Sequence, residues 1–166
     1  DNRLAIWIYD FSGHGMAAAM NVFRMHTIMQ EFMHSGGEPG NFLSTLNRHL
    51  HPLLERDEFA TMFYGIIHTD ANCLLYASAA VQPALLFTKT ETAPVTLHGR
   101  GFPLGVIANA AYDTKYTPFT YGDMLLLYSD CLIETKNNKN EYITEQQLKD
   151  HLSTAMKEQP KNPARH

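Results

Sequence analysis

The segment FATMFYGIIH, Phe59–His68, limits what this chain can fold into more than any other. Phe63 and Ile67 alternate with Met62, Tyr64 and Ile66, so a strand here is apolar on both faces. Such a strand needs cover on each side, from a second sheet, from helices, or from one of each. TDAN then makes a turn and CLLYASAA, Cys73–Ala80, returns, which reads as a β-hairpin. Further short runs follow: ALLFTK (Ala84–Lys89), PVTLH (Pro94–His98), TKYTPFT (Thr114–Thr120) and DMLLLYSD (Asp123–Asp130).

Upstream, Leu4–Tyr9 is nearly all apolar and reads as a strand buried on both faces. From Met16 to His34 the period changes, with Val22, Met25, Met29 and Phe32 three or four apart on one helix face. The methionines of this helix, Met16, Met20, Met25, Met29 and Met33, read as core packing. HSGGEPG, His34–Gly40, breaks the helix, and a second runs from about Asn41 to Glu55 with Phe42, Leu46, Leu50 and Leu53 on one face. Pro52 weakens its last turn. A closing helix is expected over Thr144–Glu158, where Thr144 and Gln147 have capping-box spacing. The order never alternates strand, helix, strand. The expected class is therefore α+β with mostly antiparallel sheet.

A length of 166 residues is expected to make one domain, 1–166. The formal net charge of −4, without a basic run, argues against nucleic acid as a partner. Cys73 and Cys131 are the two cysteines, and no signal peptide opens the chain, so reduced thiols and a cytoplasmic location are expected. CxxC and HExxH are absent, which leaves zinc without support, and no apolar stretch reaches the ~20 residues that span a bilayer. The chain starts just before its first strand and stops in the polar KEQPKNPARH, as a piece of a longer protein would.

The chemistry concentrates in IYDFSGHGMAAAM, Ile8–Met20. An apolar strand delivers Asp10 to its end, and Gly13, His14 and Gly15 follow before a helix begins. One reading is a solvated turn. A second is a dinucleotide fingerprint, since GHGMAA fits G-x-G-x-x-A, but that motif needs a parallel strand after the helix and here another helix comes next. A third is metal-assisted phosphate chemistry. Hard divalent cations take oxygen ligands, glycines let the backbone come close, and a helix N-terminus favours phosphate. That reading needs a second carboxylate, and LLLYSDCLIE, Leu125–Glu134, offers Asp130 at the end of another apolar strand.

YDFSGHGMAAAM resembles the D-x-S-G-H-G motif of the metal-dependent PPM serine/threonine phosphatases, in their bacterial sporulation-protein-E-like branch. The hairpin from Phe59 to Phe87, GFPLGV (Gly101–Val106) and YGDMLLLYSDCLIE (Tyr121–Glu134) resemble further blocks of that branch, in family order. The resemblance implies a sandwich of two antiparallel sheets flanked by helices, with two Mn²⁺ or Mg²⁺ ions at one end. By the same resemblance Asp10 is a bridging ligand, Phe11 a ligand through its backbone carbonyl, and Asp130 a ligand of the other ion. A water held between the ions would hydrolyse phosphoserine or phosphothreonine by in-line attack. The implied substrate is a phosphorylated anti-sigma-factor antagonist, and a receiver or other sensor domain commonly precedes the phosphatase. His14 is a candidate general acid, against the simpler reading of a residue that caps the turn.

The resemblance also places two further aspartate ligands outside the chain, one before Asp1 and one after His166, so metal binding by this segment is expected to be weak. Cys131 stands where the family usually has glycine and is expected to shift Asp130, as an inert, partly buried thiol; Ala80-Val81 stand where it often has Gly-His. These departures frame an alternative: a degenerate domain that binds a partner protein without turnover.

Overall fold

The computed structural model describes residues 2–32, 37–91, 93–136 and 140–158. Met33, the first three residues of the HSGGEPG break (His34, Ser35 and Gly36) and the tail beyond residue 158 lie outside the described residues. Strand β1 (Arg3–Phe11) is followed by helices α1 (Met16–Phe32) and α2 (Pro39–Leu50) and a 3-10 turn, His51–Leu53. Then come β2 (Ala60–His68), β3 (Cys73–Ala79), β4 (Ala84–Phe87), β5 (Val95–Leu97), β6 (Lys115–Pro118) and β7 (Met124–Leu126), with α3 (Cys131–Glu134) and α4 (Glu145–Glu158) at the end. The strands form a four-stranded sheet in the order β1-β2-β3-β6 and a three-stranded sheet in the order β5-β4-β7. Every pairing is antiparallel.

The two-faced pattern of β2 is resolved by one cover of each kind. Met62, Tyr64 and Ile66 face Met25 and Met29 of α1 and Leu43, Leu46 and Leu50 of α2 in one core. Phe63, on the opposite face, packs with Leu74, Tyr76, Leu86 and Leu97 between the sheets. A third cluster, Leu85, Phe87, Tyr128 and Leu148, seals the outer face of the small sheet against α4. The order of layers is therefore helices, sheet, sheet, helix. Each fully buried Leu, Met or Phe contributes roughly 1.5–3 kcal/mol by leaving water, so the core on the helix side carries much of the stability.

The loop after β5 is fastened under α2 by a buried asparagine. Asn47 is fully buried. Its Oδ1 accepts the Gly105 amide at 2.8 Å, and its Nδ2 donates to the Ile107 and Ala108 carbonyls at 2.8 and 3.2 Å. The first turn of α2 approaches the chain at 112–114 so closely that a β-carbon on Gly40 would lie 2.2 Å from the Tyr112 carbonyl. At α4 the expected capping box forms: the Gln147 amide donates to Thr144 Oγ1 at 3.2 Å and the Thr144 amide to Gln147 Oε1 at 2.9 Å.

Several local expectations are corrected. β1 is an edge strand among the described residues and is not buried on both faces: Leu4 and Trp7 are exposed. A strand paired on one side leaves part of its outer row open, which a run of apolar letters does not reveal. Asn21 is buried on α1 while Met16, Met20 and Val22 are exposed, so among the described methionines of this helix Met25 and Met29 serve as core. Leu53 is exposed because α2 stops at Leu50 and the Pro52 turn rotates it off the apolar face. The last expected strand, 123–130, pairs only at Met124–Leu126.

Replacing Asn47 with Ala would leave the Gly105 amide and two carbonyls without their partner. We expect a loss of roughly 2–3 kcal/mol, read as a lower urea midpoint at unchanged slope.

Candidate functional site

The two-residue period of β1 decides where Asp10 goes. Tyr9 and Phe11 belong to the helix-side core, and Ile6 and Ile8 to the core between the sheets. Asp10 shares the face of Ile6 and Ile8, so it ends the inter-sheet row at one mouth of the sandwich. It lies within the strand, paired with Thr61, and not past its end. The other sheet supplies the matching residues. Leu125 and Leu127 pack between the sheets, and the chain past β7 turns at Ser129–Asp130 into α3, with Asp130 in right-handed helical geometry (φ −58°, ψ −28°). Asp130 therefore reaches the site from a helix cap four residues beyond Leu126, and not directly from a strand end.

Asp10 and Asp130 line one small cavity, of about 50 Å³, together with Thr61, Ala80, Val81, Gln82 and Ser129. Both carboxylates are exposed. Phe11 does not line it; its ring is buried on the helix side and meets Tyr9 edge-on at 6.2 Å between centroids. Gly13 and Gly15 have φ of +87° and +85°, the left-handed region that glycine enters at least cost, and a β-carbon on either would meet nothing within 4 Å. These glycines serve the turn's conformation and not close packing. His14 is exposed and lines a neighbouring cleft of about 240 Å³ with Ser12, Gly13 and residues 55–58. The structure thus brings Asp10 and Asp130 together and puts His14 beside them, on a different surface.

The loop that carries Gly13 and His14 is pinned to the entry of β2. The Ser12 amide donates to the Phe59 carbonyl at 2.9 Å, and the Phe59 amide donates to Ser12 Oγ at 2.9 Å. The turn before Phe59 is held by Glu58. The Glu55 amide donates to Glu58 Oε2 at 3.0 Å. That bond, then the Asn21 side chain, and last the charge of Arg24 hold the Glu58 carboxyl below the usual carboxylate range.

All the polar groups around the cavity are hard oxygen or amide donors, which fit a hydrated Mg²⁺- or Mn²⁺-like cation taken by one or two carboxylates. Among the described residues no cluster of three or more His, Cys, Asp or Glu forms a metal cage. The donors present therefore suit a single hydrated ion, and a two-ion centre needs ligands beyond them. Cys131 is exposed, not partly buried, and it opens α3 without a positive φ, so its backbone meets no glycine-only constraint here. The strained position is Ala80, at φ +53° on the cavity wall. Thr61, Gln82 and Ser129 were not singled out from sequence; Thr61 was recoverable from hairpin register, the other two only from the packing of the sheets.

The chain is thus an α+β sandwich with two aspartates lining one cavity at its mouth. The chain belongs to the family described as Stage II sporulation protein E (SpoIIE), which it matches over residues 1–166. It is 29% identical over 160 residues to the phosphoserine phosphatase RsbU of Bacillus subtilis, covering 95% of this chain and 48% of that protein. The chain thus spans about half the length of this relative. The fold is similar to the RsbU and RsbW domains of a Mycobacterium tuberculosis protein, with TM-score 0.75 and 24% identity over 92% of this chain and 42% of that one. It is also similar to the PP2C phosphatase domain of SpoIIE from Bacillus subtilis, with TM-score 0.74 and 17% identity over 95% of this chain and 44% of that one. No helix among the described residues is long and apolar enough to cross a membrane.

Two outcomes are expected at the site. Ala80→Gly should raise stability by up to about 1 kcal/mol, because it removes the left-handed penalty of a β-carbon, seen as a higher denaturant midpoint. Glu58 has a lowered folded pKa, so its contribution is present above the ordinary carboxylate value and is lost as pH falls through the lowered one. The stability gap between wild type and Glu58→Gln should accordingly be constant near neutral pH and close in the acid range, in a urea series across pH.

Proposed function

We propose that this domain hydrolyses phosphoserine or phosphothreonine in a regulatory protein, with a hard divalent cation, Mn²⁺ or Mg²⁺, held by Asp10 and Asp130. The observation that carries the reading is that Asp10, on β1 of the large sheet, and Asp130, at the helix cap beyond β7 of the small sheet, line one cavity. Family membership and the name of the phosphoserine phosphatase RsbU support it. Such a cation, when bound, would neutralise phosphoryl charge and lower the pKa of a water so that its deprotonated form is available as the nucleophile.

The chain's own residues do the rest. Asp10 and Asp130 supply the negative charge that holds the ion, and Phe11 is proposed to add its backbone carbonyl. Thr61 and Ser129 offer hydroxyls, and Gln82 an amide, to orient water or phosphate oxygens at the cavity wall. Gly13 and Gly15 shape the turn at the neighbouring cleft, where the start of α1 would favour an anionic group. Ile8 and Val81 form apolar walls that limit water. We assign the substrate to the anti-sigma-factor-antagonist type and the setting to a cytoplasmic signalling chain with a sensor or receiver domain. No proton-transfer role is assigned to His14, which lies on the neighbouring cleft.

The test is Mn²⁺-dependent phosphate release from a phosphoserine protein, measured on the natural full-length protein. Asp10→Asn and Asp130→Asn should each lower turnover by at least about 100-fold, beyond the 10–100-fold typical of losing a supporting partner of a ligand. Chelator should abolish it. His14→Ala should cost less than about 5-fold, whereas a general acid contributes 10²–10⁴-fold. Absence of turnover in folded wild type with its partner present would favour a binding module without catalysis.

A further inference from the structure

The β1–β2 ladder ends irregularly beside the site. The register that pairs Phe11 with Ala60 sets Ser12 opposite Phe59. A regular antiparallel pair at that position would exchange amide-to-carbonyl bonds in both directions. One of the two forms in that way: the Ser12 amide donates to the Phe59 carbonyl at 2.9 Å. In the other, the Phe59 amide donates to Ser12 Oγ at 2.9 Å. The Ser12 hydroxyl in turn donates to the Asp57 carbonyl, at a long 3.4 Å. The side chain thus takes the place of the Ser12 carbonyl as acceptor. The backbone is released to turn at Gly13, where φ is +87°.

The segment to which Ser12 is tied is itself held. Ala60, next to Phe59, is fully buried and exchanges two backbone bonds with Leu104 on its other side, at 3.0 and 2.8 Å. On β1, the Phe11 ring is buried in the helix-side core. The Phe11–Ser12 peptide therefore lies between a buried ring and a serine bonded at both its amide and its hydroxyl. A trans peptide points its N–H and C=O in opposite directions. The Ser12 N–H points to β2, so the Phe11 carbonyl points out of the other edge of β1, which pairs with no strand among the described residues.

We propose that Ser12 is a positioning residue: its hydroxyl replaces a backbone acceptor, ends the ladder, and fixes the direction of the Phe11 carbonyl where the chain leaves for Gly13. Without the hydroxyl, either of two rearrangements disturbs that peptide. The carbonyl of residue 12 swings back to meet the Phe59 amide, at the expense of the turn at Gly13. Or the half-buried Phe59 amide is left without its acceptor and the pair frays. Asp10 and Phe11 stand immediately before this latch, and a displacement of about 1 Å in such a segment can cost on the order of 100-fold in rate. The consequence for metal affinity rests on the proposed function; the latch itself does not.

The experiment combines hydrogen exchange by mass spectrometry with Mn²⁺ binding by calorimetry, on the natural full-length protein. Ser12→Ala removes the hydroxyl and Ser12→Thr keeps it. Ser12→Ala should speed exchange about 5-fold or more in the peptides that carry the Ser12 and Phe59 amides, as the loss of one hydrogen bond does, and leave α2 within about 2-fold of wild type. Mn²⁺ affinity should fall about 10-fold. Ser12→Thr should bring both readouts to within about 3-fold of wild type, since a threonine hydroxyl accepts as serine does. Ile67→Val, at the far end of β2, is the control for stability alone and should leave Mn²⁺ affinity unchanged.

Unchanged exchange at Ser12 and Phe59 in Ser12→Ala, or exchange in Ser12→Thr as fast as in Ser12→Ala, would overturn the latch. Equal Mn²⁺ affinity in wild type and Ser12→Ala, or an equal loss in Ile67→Val, would overturn the positioning role. If Ser12→Ala does not fold, Ser12→Cys, whose sulfur is a weak acceptor, takes its place in each comparison. If wild type binds no Mn²⁺, the proposed function fails and exchange alone judges the latch.

Discussion

The rest of the structure depends on the burial of β2 on both faces. Its even-numbered residues need the helices and its odd-numbered residues need the second sheet, so neither layer can be removed without exposing apolar surface. The inter-sheet layer has a functional consequence. Two sheets packed face to face bring the ends of strands from different parts of the sequence to a common mouth. Asp10 and Asp130, 120 positions apart in sequence, reach one cavity in this way.

Polar side chains buried between layers set the finer geometry. Asn47 ties the loop at 105–108 to α2, and Arg24, which donates to both Asn21 Oδ1 and the Leu53 carbonyl, ties α1 to the turn after α2. Asn47 and Asn21 are both buried on helices that pack on the large sheet; Asn47 bonds to a loop, and Asn21 bonds to Arg24 of its own helix. A buried amide costs free energy unless its partners are placed for it, so Asn47 selects one conformation of the 105–108 loop. The site loop is held separately, by the paired bonds between Ser12 and Phe59.

The departures from the family pattern acquire a physical ranking. Cys131 stands where the family usually has glycine, yet its backbone needs no positive φ. Ala80 carries the strain instead, at φ +53° on the cavity wall, where glycine is the residue without penalty. A glycine in a family motif can serve conformation or space, and only the backbone angles distinguish the two.

Sequence alone determined the class of fold, the hairpin at 59–80, the two leading helices, the capping box at Thr144–Gln147 and the pair of candidate aspartates. These follow from period, turn chemistry and local spacing, which act over a few residues. Tertiary structure decided which letters in those patterns were buried. Val22, Leu53, Met16 and Met20 fit a helical face and are exposed, while Asn21 does not fit and is buried. It also decided that β1 lies at an edge, that Asp130 arrives from a helix cap, and that Thr61, Gln82 and Ser129 share the cavity. The reason is that burial is set by what a neighbouring element places against a residue, and those neighbours come from distant parts of the chain.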